Sequence, residues 1–168
     1  MKVSMLGLGI MGAGMAGQIV AKGFEVSVWN RNPAKCTQLG NLGARVAASP
    51  ADAARGADLV FAMLADDDAS RGVWLGAEGA LAAMRRDTIA IESSTLTIEW
   101  VRELAAAASS RGIGFLDAPV TGSKAQAESG MLAFLVGGPA ELLERARPAL
   151  AAMSSSIAHL GPSGSGAT

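Results

Sequence analysis

Three glycines with the spacing Gly-x-Gly-x-x-Gly lie near the start of the chain, at Gly7, Gly9 and Gly12. They follow a short apolar run and open a helical stretch, the context in which backbone N–H groups can approach the pyrophosphate of a dinucleotide. Gly7 would permit the tight turn, Gly9 the close approach of phosphate and Gly12 the packing of helix on strand. With Ile10 and Met11, these residues form a candidate cofactor loop. The alternative is a glycine-rich turn that binds nothing.

The residues roughly 20 positions further on indicate which dinucleotide would bind. An NAD site usually has Asp or Glu there, which accepts hydrogen bonds from the adenosine ribose. This chain has Asn30, Arg31 and Asn32 instead. Neutral Asn30 does not repel a 2′-phosphate, and Arg31 and Asn32 can donate hydrogen bonds to it. The sequence therefore predicts NADP in preference to NAD, unless Arg31 is only a solvated surface charge.

A second candidate site is the turn Thr121-Gly122-Ser123, which combines backbone N–H groups with two hydroxyls. Such a turn can hold an anion without a formal charge. The alternative is an ordinary loop after a buried strand. Asp117, which ends that strand, is expected to accept hydrogen bonds from the backbone, and Lys124 is expected to be solvated.

The elements that would position these residues follow from alternating apolar runs and helical stretches. This alternation indicates an α/β fold with a doubly wound, mostly parallel sheet. Helices are expected to open at Pro33, Pro50 and Pro139, which follow Asn, Ser and Gly. Strands are predicted at 2–6, 25–29, 59–63, 88–91, 114–116, 131–136 and 156–160, and helices at 97–111 and 140–153.

Composition restricts the classes of protein that fit. With 168 residues, 50% of them hydrophobic, and a net charge of −1, the chain can form one folded core and offers no basic surface for nucleic acid. No apolar run is long enough to span a membrane. One cysteine, Cys36, excludes an intrachain disulfide and favours the cytoplasm. We expect Cys36 and His159 at the surface, and Asp66–Asp68 at a helix N-terminus rather than around a metal.

Four segments together resemble the N-terminal half of the β-hydroxyacid dehydrogenases: 7–12, 29–36, 94–95 and 117–124. That family includes 3-hydroxyisobutyrate dehydrogenase, tartronate semialdehyde reductase and the glyoxylate/succinic semialdehyde reductases. The resemblance implies a Rossmann dinucleotide-binding fold and is strongest to the NADP-preferring reductases. It further implies that Met63 and Leu64 close the cofactor site, and that Thr95 lies by the nicotinamide ribose.

In the family, the turn that matches Thr121-Gly122-Ser123 binds the substrate carboxylate, usually as Ser-Gly-Gly. Ser123 departs from that pattern, which predicts a change in the acid that fits. The resemblance implies hydride transfer between NADPH and a short aldehyde-acid or 3-hydroxy acid. The proton donor would be a lysine beyond Thr168, in an all-helical second domain that this chain lacks.

The expected organisation is therefore a nucleotide-binding domain over residues 1–162, with 163–168 as the start of a linker. Such a chain would bind NADPH without turning over substrate, and the intact enzyme would form homo-oligomers through the missing domain. Two alternatives stay open. One is an imine reductase, which resembles the same domain but uses a different proton donor. The other is a non-catalytic dinucleotide-binding module.

Overall fold

The computed structural model describes all 168 residues, which form one sheet flanked by helices. The strands are β1 (Lys2–Leu6), β2 (Glu25–Trp29), β3 (Arg45–Val46), β4 (Leu59–Ala62), β5 (Ile89–Glu92), β6 (Gly114–Asp117), β7 (Val120–Thr121), β8 (Leu132–Gly137) and β9 (Ser154–Gly161). The α-helices are α1 (Ile10–Ala21), α2 (Thr37–Asn41), α3 (Pro50–Ala54), α4 (Asp67–Leu75), α5 (Ile98–Ser109), α6 (Lys124–Ser129) and α7 (Ala140–Met153). Short 3₁₀ helices span Pro33–Cys36 and Leu81–Ala83.

The strand order creates a crevice at the carboxyl edge of the sheet. Strands β3, β2, β1, β4, β5 and β6 lie side by side and are all parallel. The chain adds β2 and β3 on one side of β1 and then crosses back to add β4 on its other side. Ligands of such sheets bind at the point where the strand order reverses. Beyond β6, β8 runs antiparallel to both β6 and β7 and pairs in parallel with β9. The predicted α/β fold with a doubly wound, mostly parallel sheet is confirmed.

Two apolar layers cover the faces of the sheet. On one face Met5, Phe61 and Ile91 pack with Met15 of α1 and Leu150 of α7, in a core of 26 buried residues. A second core of 19 buried residues covers the other face and contains side chains from α4 and α5. Residues of both cores alternate along the central strands, so β1, β4 and β5 are buried on both sides, as their continuous apolar sequences predict.

The predicted elements agree with the structure apart from their ends. All seven predicted strands exist, and the helix predicted at 140–153 has those bounds. The stretch after Asn32 begins as a 3₁₀ helix rather than an α-helix, and Ser49 caps α3 by accepting from the amide of Asp52. Strands β3 and β7, of two residues each, were not predicted. None of the helices has the length and apolar character that crossing a membrane would need.

The expectation that Cys36 lies at the surface is wrong. Its side chain is 1% exposed and packs in the core beside Leu39 and Val28. Burial raises the pKa of its thiol, and a hydrogen bond with the backbone of Asn30 opposes that shift. The chain turns inward here because the 3₁₀ helix continues directly into α2, which must bury its apolar side.

Candidate functional site

The turn between β1 and α1 has little space for side chains at two of its three glycines. Gly7 has a φ of +96°, and a Cβ built on it would lie 2.3 Å from the carbonyl oxygen of Met63. A Cβ on Gly12 would lie 2.1 Å from the carbonyl oxygen of Gly7. In contrast, nothing lies within 4 Å of a Cβ built on Gly9. Gly7 and Gly12 are therefore required by the turn itself, whereas Gly9 faces open space.

The amino end of α1 offers unpaired hydrogen-bond donors beside Gly9. The amides of Gly9, Ile10, Met11 and Gly12 have no acceptor within the chain, and no side chain caps this helix. With 12 residues, α1 carries a partial positive charge at this end. Open space, free N–H groups and a helix N-terminus together form a site suited to a phosphate group.

Asn30 joins the end of β2 to the glycine turn. Its Oδ1 accepts from the amide of Leu8 at 2.8 Å, and its Nδ2 donates to the carbonyl oxygen of Asn32 at 3.0 Å. Asn32 in turn accepts from the amide of Ala34 at 3.1 Å and so begins the 3₁₀ helix. The side chain of Arg31 between them is exposed and forms no ion pair. The guanidinium of Arg31 is therefore free, and Arg31 follows directly after the residue that contacts the glycine turn.

The loops after β4 and β5 meet at the same edge of the sheet. The amide of Leu64 donates to the hydroxyl of Ser94 at 2.7 Å, which holds the two loops together. Met63 lies against Gly7, so these loops also contact the glycine turn. Thr95 follows Ser94, and its side chain is exposed. The predicted residues Met63, Leu64 and Thr95 therefore lie along one edge with the cofactor loop.

Glu92, a buried acid beneath these loops, was not singled out from the sequence. It is 1% exposed, and Oε1 accepts from the amide of Ser94 at 2.9 Å. Burial raises the pKa of its carboxyl, and hydrogen bonds from Ser70, Ser94 and Trp74 oppose that shift. The signal that could have found it is an acid at the end of an apolar strand, the feature that drew attention to Asp117.

In the turn after β7, some backbone amides have no hydrogen-bond acceptor and one donates within the chain. Ser123 caps α6: its Oγ accepts from the amide of Gln126 at 3.2 Å, and its own amide donates to Oε1 of Gln126 at 2.7 Å. The Ser123 amide is therefore unavailable to a ligand. This differs from the expectation that all the backbone N–H groups of the turn could hold an anion. The amides of Gly122 and Lys124 have no acceptor, and the side chains of Thr121 and Ser123 are exposed.

Asp117 accepts hydrogen bonds from the backbone, as predicted, but its donors are distant in sequence. Oδ1 accepts from the amide of Gly164 at 2.7 Å, and Oδ2 accepts from Gly166 and Ala167 at 2.8 and 3.0 Å. The fully buried carboxylate thus fixes the C-terminal segment against the end of β6. A boundary between domain and linker at residue 162 stays a prediction.

The other polar residues considered from the sequence have structural contacts. Lys124 is exposed and pairs with Glu128 at 3.6 Å. His159 is exposed, with Nε2 lying 2.7 Å from the carbonyl oxygen of Gly138. Asp66 caps α4 by accepting from the amide of Ala69 at 2.8 Å, so the Asp66–Asp68 run does lie at a helix N-terminus.

A groove of about 290 Å³ lies away from this edge, at the start of β1 and β2. Its lining includes Lys2, Arg45 and Asp52, and the last two form an ion pair with an N–O distance of 3.1 Å. Since its charges are paired, we place the candidate site at the carboxyl edge instead.

Comparison with known proteins also indicates a dinucleotide-binding domain. Residues 2–161 match the family model described as the NAD binding domain of 6-phosphogluconate dehydrogenase. The chain is 41% identical over 165 residues to the NAD-dependent L-serine dehydrogenase of Pseudomonas aeruginosa, covering 98% of this chain and 55% of that protein. It is 39% identical over 165 residues to glyoxylate/succinic semialdehyde reductase 2 of Arabidopsis thaliana, covering 98% and 46%.

Among solved structures, 3-hydroxyisobutyrate dehydrogenase of Mycobacterium tuberculosis with L-serine superposes with a TM-score of 0.94 at 37% identity. That match covers 99% of this chain and 56% of the solved one. The chain therefore spans about half the length of the relatives it matches.

Proposed function

Because the chain belongs to the family of the NAD binding domain of 6-phosphogluconate dehydrogenase, we propose that it is the NADP(H)-binding part of a hydroxyacid dehydrogenase or reductase. The reaction would transfer a hydride between NADPH and a short aldehyde-acid or 3-hydroxy acid of the 3-hydroxyisobutyrate, glyoxylate or succinic semialdehyde class. The observation that carries the proposal is the group of unpaired amides at Gly9–Gly12, beside the open space over Gly9.

The residues at the carboxyl edge fit a dinucleotide along its length. The amides of Gly9, Ile10, Met11 and Gly12 would bind the pyrophosphate. Asn30 would hold the glycine turn in place through Leu8. The nicotinamide, when bound, supplies the hydride-transferring carbon, and the protein's part is to hold and orient it.

Arg31 would select the nucleotide. A dinucleotide that lies across the crevice from the pyrophosphate toward β2 brings its adenosine ribose near Arg31 and Asn32. The exposed, unpaired guanidinium would donate to a 2′-phosphate, which NADP carries and NAD lacks. The name of the Pseudomonas aeruginosa relative indicates NAD, so the nucleotide preference proposed for this chain differs from the one in that name.

At the other end of the cofactor, Met63, Leu64 and Thr95 would flank the nicotinamide ribose. The free amide of Gly122 and the hydroxyls of Thr121 and Ser123 would hold the substrate carboxylate. This assignment rests on the exposed hydroxyls and the unpaired amide of the turn. The related enzymes are named for small acids or their semialdehydes.

Reduction of an aldehyde also needs a proton for the developing alkoxide. We propose that a lysine beyond Thr168 donates it, so the chain of 168 residues binds NADPH without sustained turnover. The intact protein would be a cytoplasmic homo-oligomer. Steady-state reduction of glyoxylate or succinic semialdehyde by this chain alone would contradict the assignment of the proton donor.

The nucleotide preference can be tested by titrating the chain with NADPH and NADH and following reduced-nicotinamide fluorescence. We expect NADPH to bind at least about tenfold more tightly, since a charge-assisted contact of about 1.5–3 kcal/mol is lost with NADH. Arg31→Ala should weaken the binding of NADPH and leave the binding of NADH unchanged. Arg111→Ala, which removes an exposed guanidinium from the end of α5, is the matched control and should change neither affinity. Equal binding of both nucleotides by the unaltered chain would contradict the role of Arg31.

A further inference from the structure

The carboxylate of Glu92 is buried without a cation beside it. It is the last residue of β5, is 1% exposed and takes part in no ion pair. Oε2 accepts from the hydroxyl of Ser70 at 2.7 Å and from Nε1 of Trp74 at 2.9 Å. Oε1 accepts from the amide of Ser94 at 2.9 Å. Every hydrogen bond to this side chain is therefore one that it accepts.

The network around Glu92 extends to two helices on one side. Ser70 and Trp74 belong to α4, and Ser70 also accepts from Nε1 of Trp100 in α5 at 2.9 Å. The guanidinium of Arg71 stacks over the ring of Trp100, 4.2 Å from its centre. Through these contacts Glu92 is held in a fixed position by the layer of helices that covers this face of the sheet.

On its other side, the same carboxylate holds the two loops at the carboxyl edge. Ser94, whose amide donates to Glu92, accepts from the amide of Leu64 through its hydroxyl at 2.7 Å. These hydrogen bonds connect the helices, through the Glu92 carboxylate, to the loop after β5 and then to the loop after β4. They thus join rigid elements to the residues beside Met63 and Thr95.

The stability of the fold does not by itself explain why an ionisable side chain occupies position 92. Burial of a carboxylate without a cation costs free energy, and an apolar side chain of similar volume avoids that cost. Hydrogen bonds to a fixed acceptor do, however, define the geometry of the loops that make them. The arrangement is therefore suited to positioning.

We propose that Glu92 is a positioning residue for the nicotinamide half of the bound cofactor, acting through Ser94 and Leu64. The inference rests on the proposed function, because it takes the loops after β4 and β5 to flank the nicotinamide ribose. The adenosine half would bind on the β2 side of the crevice and would make no use of these loops. Loss of the Glu92 carboxylate should therefore weaken the contacts of the nicotinamide half and leave those of the adenosine half unchanged.

The test compares two ligands, NADPH and adenosine 2′,5′-bisphosphate, which lacks the nicotinamide. Glu92→Gln keeps the size of the side chain but turns an N–H₂ group toward neighbours that themselves donate. We expect it to weaken NADPH about tenfold or more and to change the affinity for the bisphosphate less than twofold, measured by isothermal titration calorimetry. Glu141→Gln, the same substitution at an exposed acid in the first turn of α7, is the control and should leave both affinities unchanged.

Equal weakening of both ligands, or unchanged affinity for both, in a folded Glu92→Gln protein would overturn the inference. If that variant does not fold, Ser94→Ala takes its place, because it cuts the link to Leu64 and keeps the carboxylate; the same selective loss is expected.

Failure of the proposed function would look different, since the unaltered chain would then bind neither ligand. Hydrogen exchange of the Leu64 amide in the free chain would still test the positioning step. Exchange about tenfold faster in Glu92→Gln than in Glu141→Gln supports the positioning step, and equal rates overturn it.

Discussion

A Cβ atom built on Gly14 of α1 would lie 2.9 Å from the Cβ of Ala127 in α6. The two helices can pack this closely only because residue 14 has no side chain. α1 begins at the glycine turn, and α6 is capped by Ser123, in the turn proposed to hold the substrate carboxylate. One close contact therefore fixes the distance between the two candidate binding turns.

Gly14→Ala should destabilise the protein by about 1–3 kcal/mol, because the added methyl group meets a packed neighbour. Gly17→Ala is the matched control in the same helix, since nothing lies within 4 Å of a Cβ built there. It should stabilise the helix by about 0.5–1 kcal/mol through the higher helix propensity of alanine. Urea unfolding measures both. An increase in stability for Gly14→Ala would show that α6 does not hold α1 in the described position.

Substitutions at the glycines of the first turn should have different effects on stability and on NADPH binding. Gly9→Ala meets no atom of the chain, so its midpoint of thermal unfolding should stay close to that of the unaltered protein while NADPH affinity falls by about tenfold or more. Gly12→Ala clashes with the carbonyl oxygen of Gly7 and should lower the midpoint itself. Calorimetry gives both quantities. If Gly9→Ala binds NADPH normally, phosphate does not approach the turn at this residue.

Asp117→Asn should release the C-terminal segment. The carboxylate accepts three amide hydrogen bonds, and an amide side chain would turn an N–H₂ group toward at least one of these donors. An unsatisfied buried donor costs about 1–3 kcal/mol. We expect lower stability, faster hydrogen exchange at Gly164 and Gly166, and proteolysis near the C-terminus. Unchanged exchange at these glycines would mean that Asp117 does not hold the segment.

The pH dependence of stability should reveal the buried acid. Burial raises the pKa of Glu92 above its ordinary value of 4.5. The neutral carboxyl is therefore favoured by folding, and this contribution is complete below the unfolded pKa and lost as the pH rises through the folded one.

Glu92→Gln lacks this titration. The difference in unfolding midpoint between the variant and the unaltered protein should therefore move in favour of the variant as the pH rises above the ordinary glutamate pKa of 4.5. Thermal unfolding at several pH values measures it. A difference that stays constant would mean that the folded and unfolded pKa values of Glu92 are the same.

The sequence contains enough local information to predict the sheet and the first turn. Apolar runs separated by capped helices define the strands. The positive φ of Gly7 and the close approach of Gly12 to Gly7 involve backbone within a few residues. Ser49 and Asp66 cap helices as their types and positions indicate. These features could be predicted because each depends on neighbours in sequence.

Features that depend on distant parts of the chain could not be predicted in this way. The donors to Asp117 lie 47 to 50 residues away, and two of the three partners of Glu92 come from a helix 18 to 22 residues earlier. Cys36 is buried because α2 packs against the core, which the composition of its neighbours does not reveal. The use of the Ser123 amide by Gln126 is local, and the Ser-x-x-Gln pattern of a capping box would have indicated it.

The most direct test of the whole account is an NMR titration of the chain with NADPH that follows backbone amide shifts. The account predicts saturable shifts at Gly9, Ile10, Met11 and Gly12, all with one dissociation constant. For Gly9→Ala, the same shifts should saturate at an NADPH concentration about tenfold or more higher. Saturable shifts centred on the groove at Lys2 and Arg45, or no shift at the amides of residues 9–12 at millimolar NADPH, would contradict it.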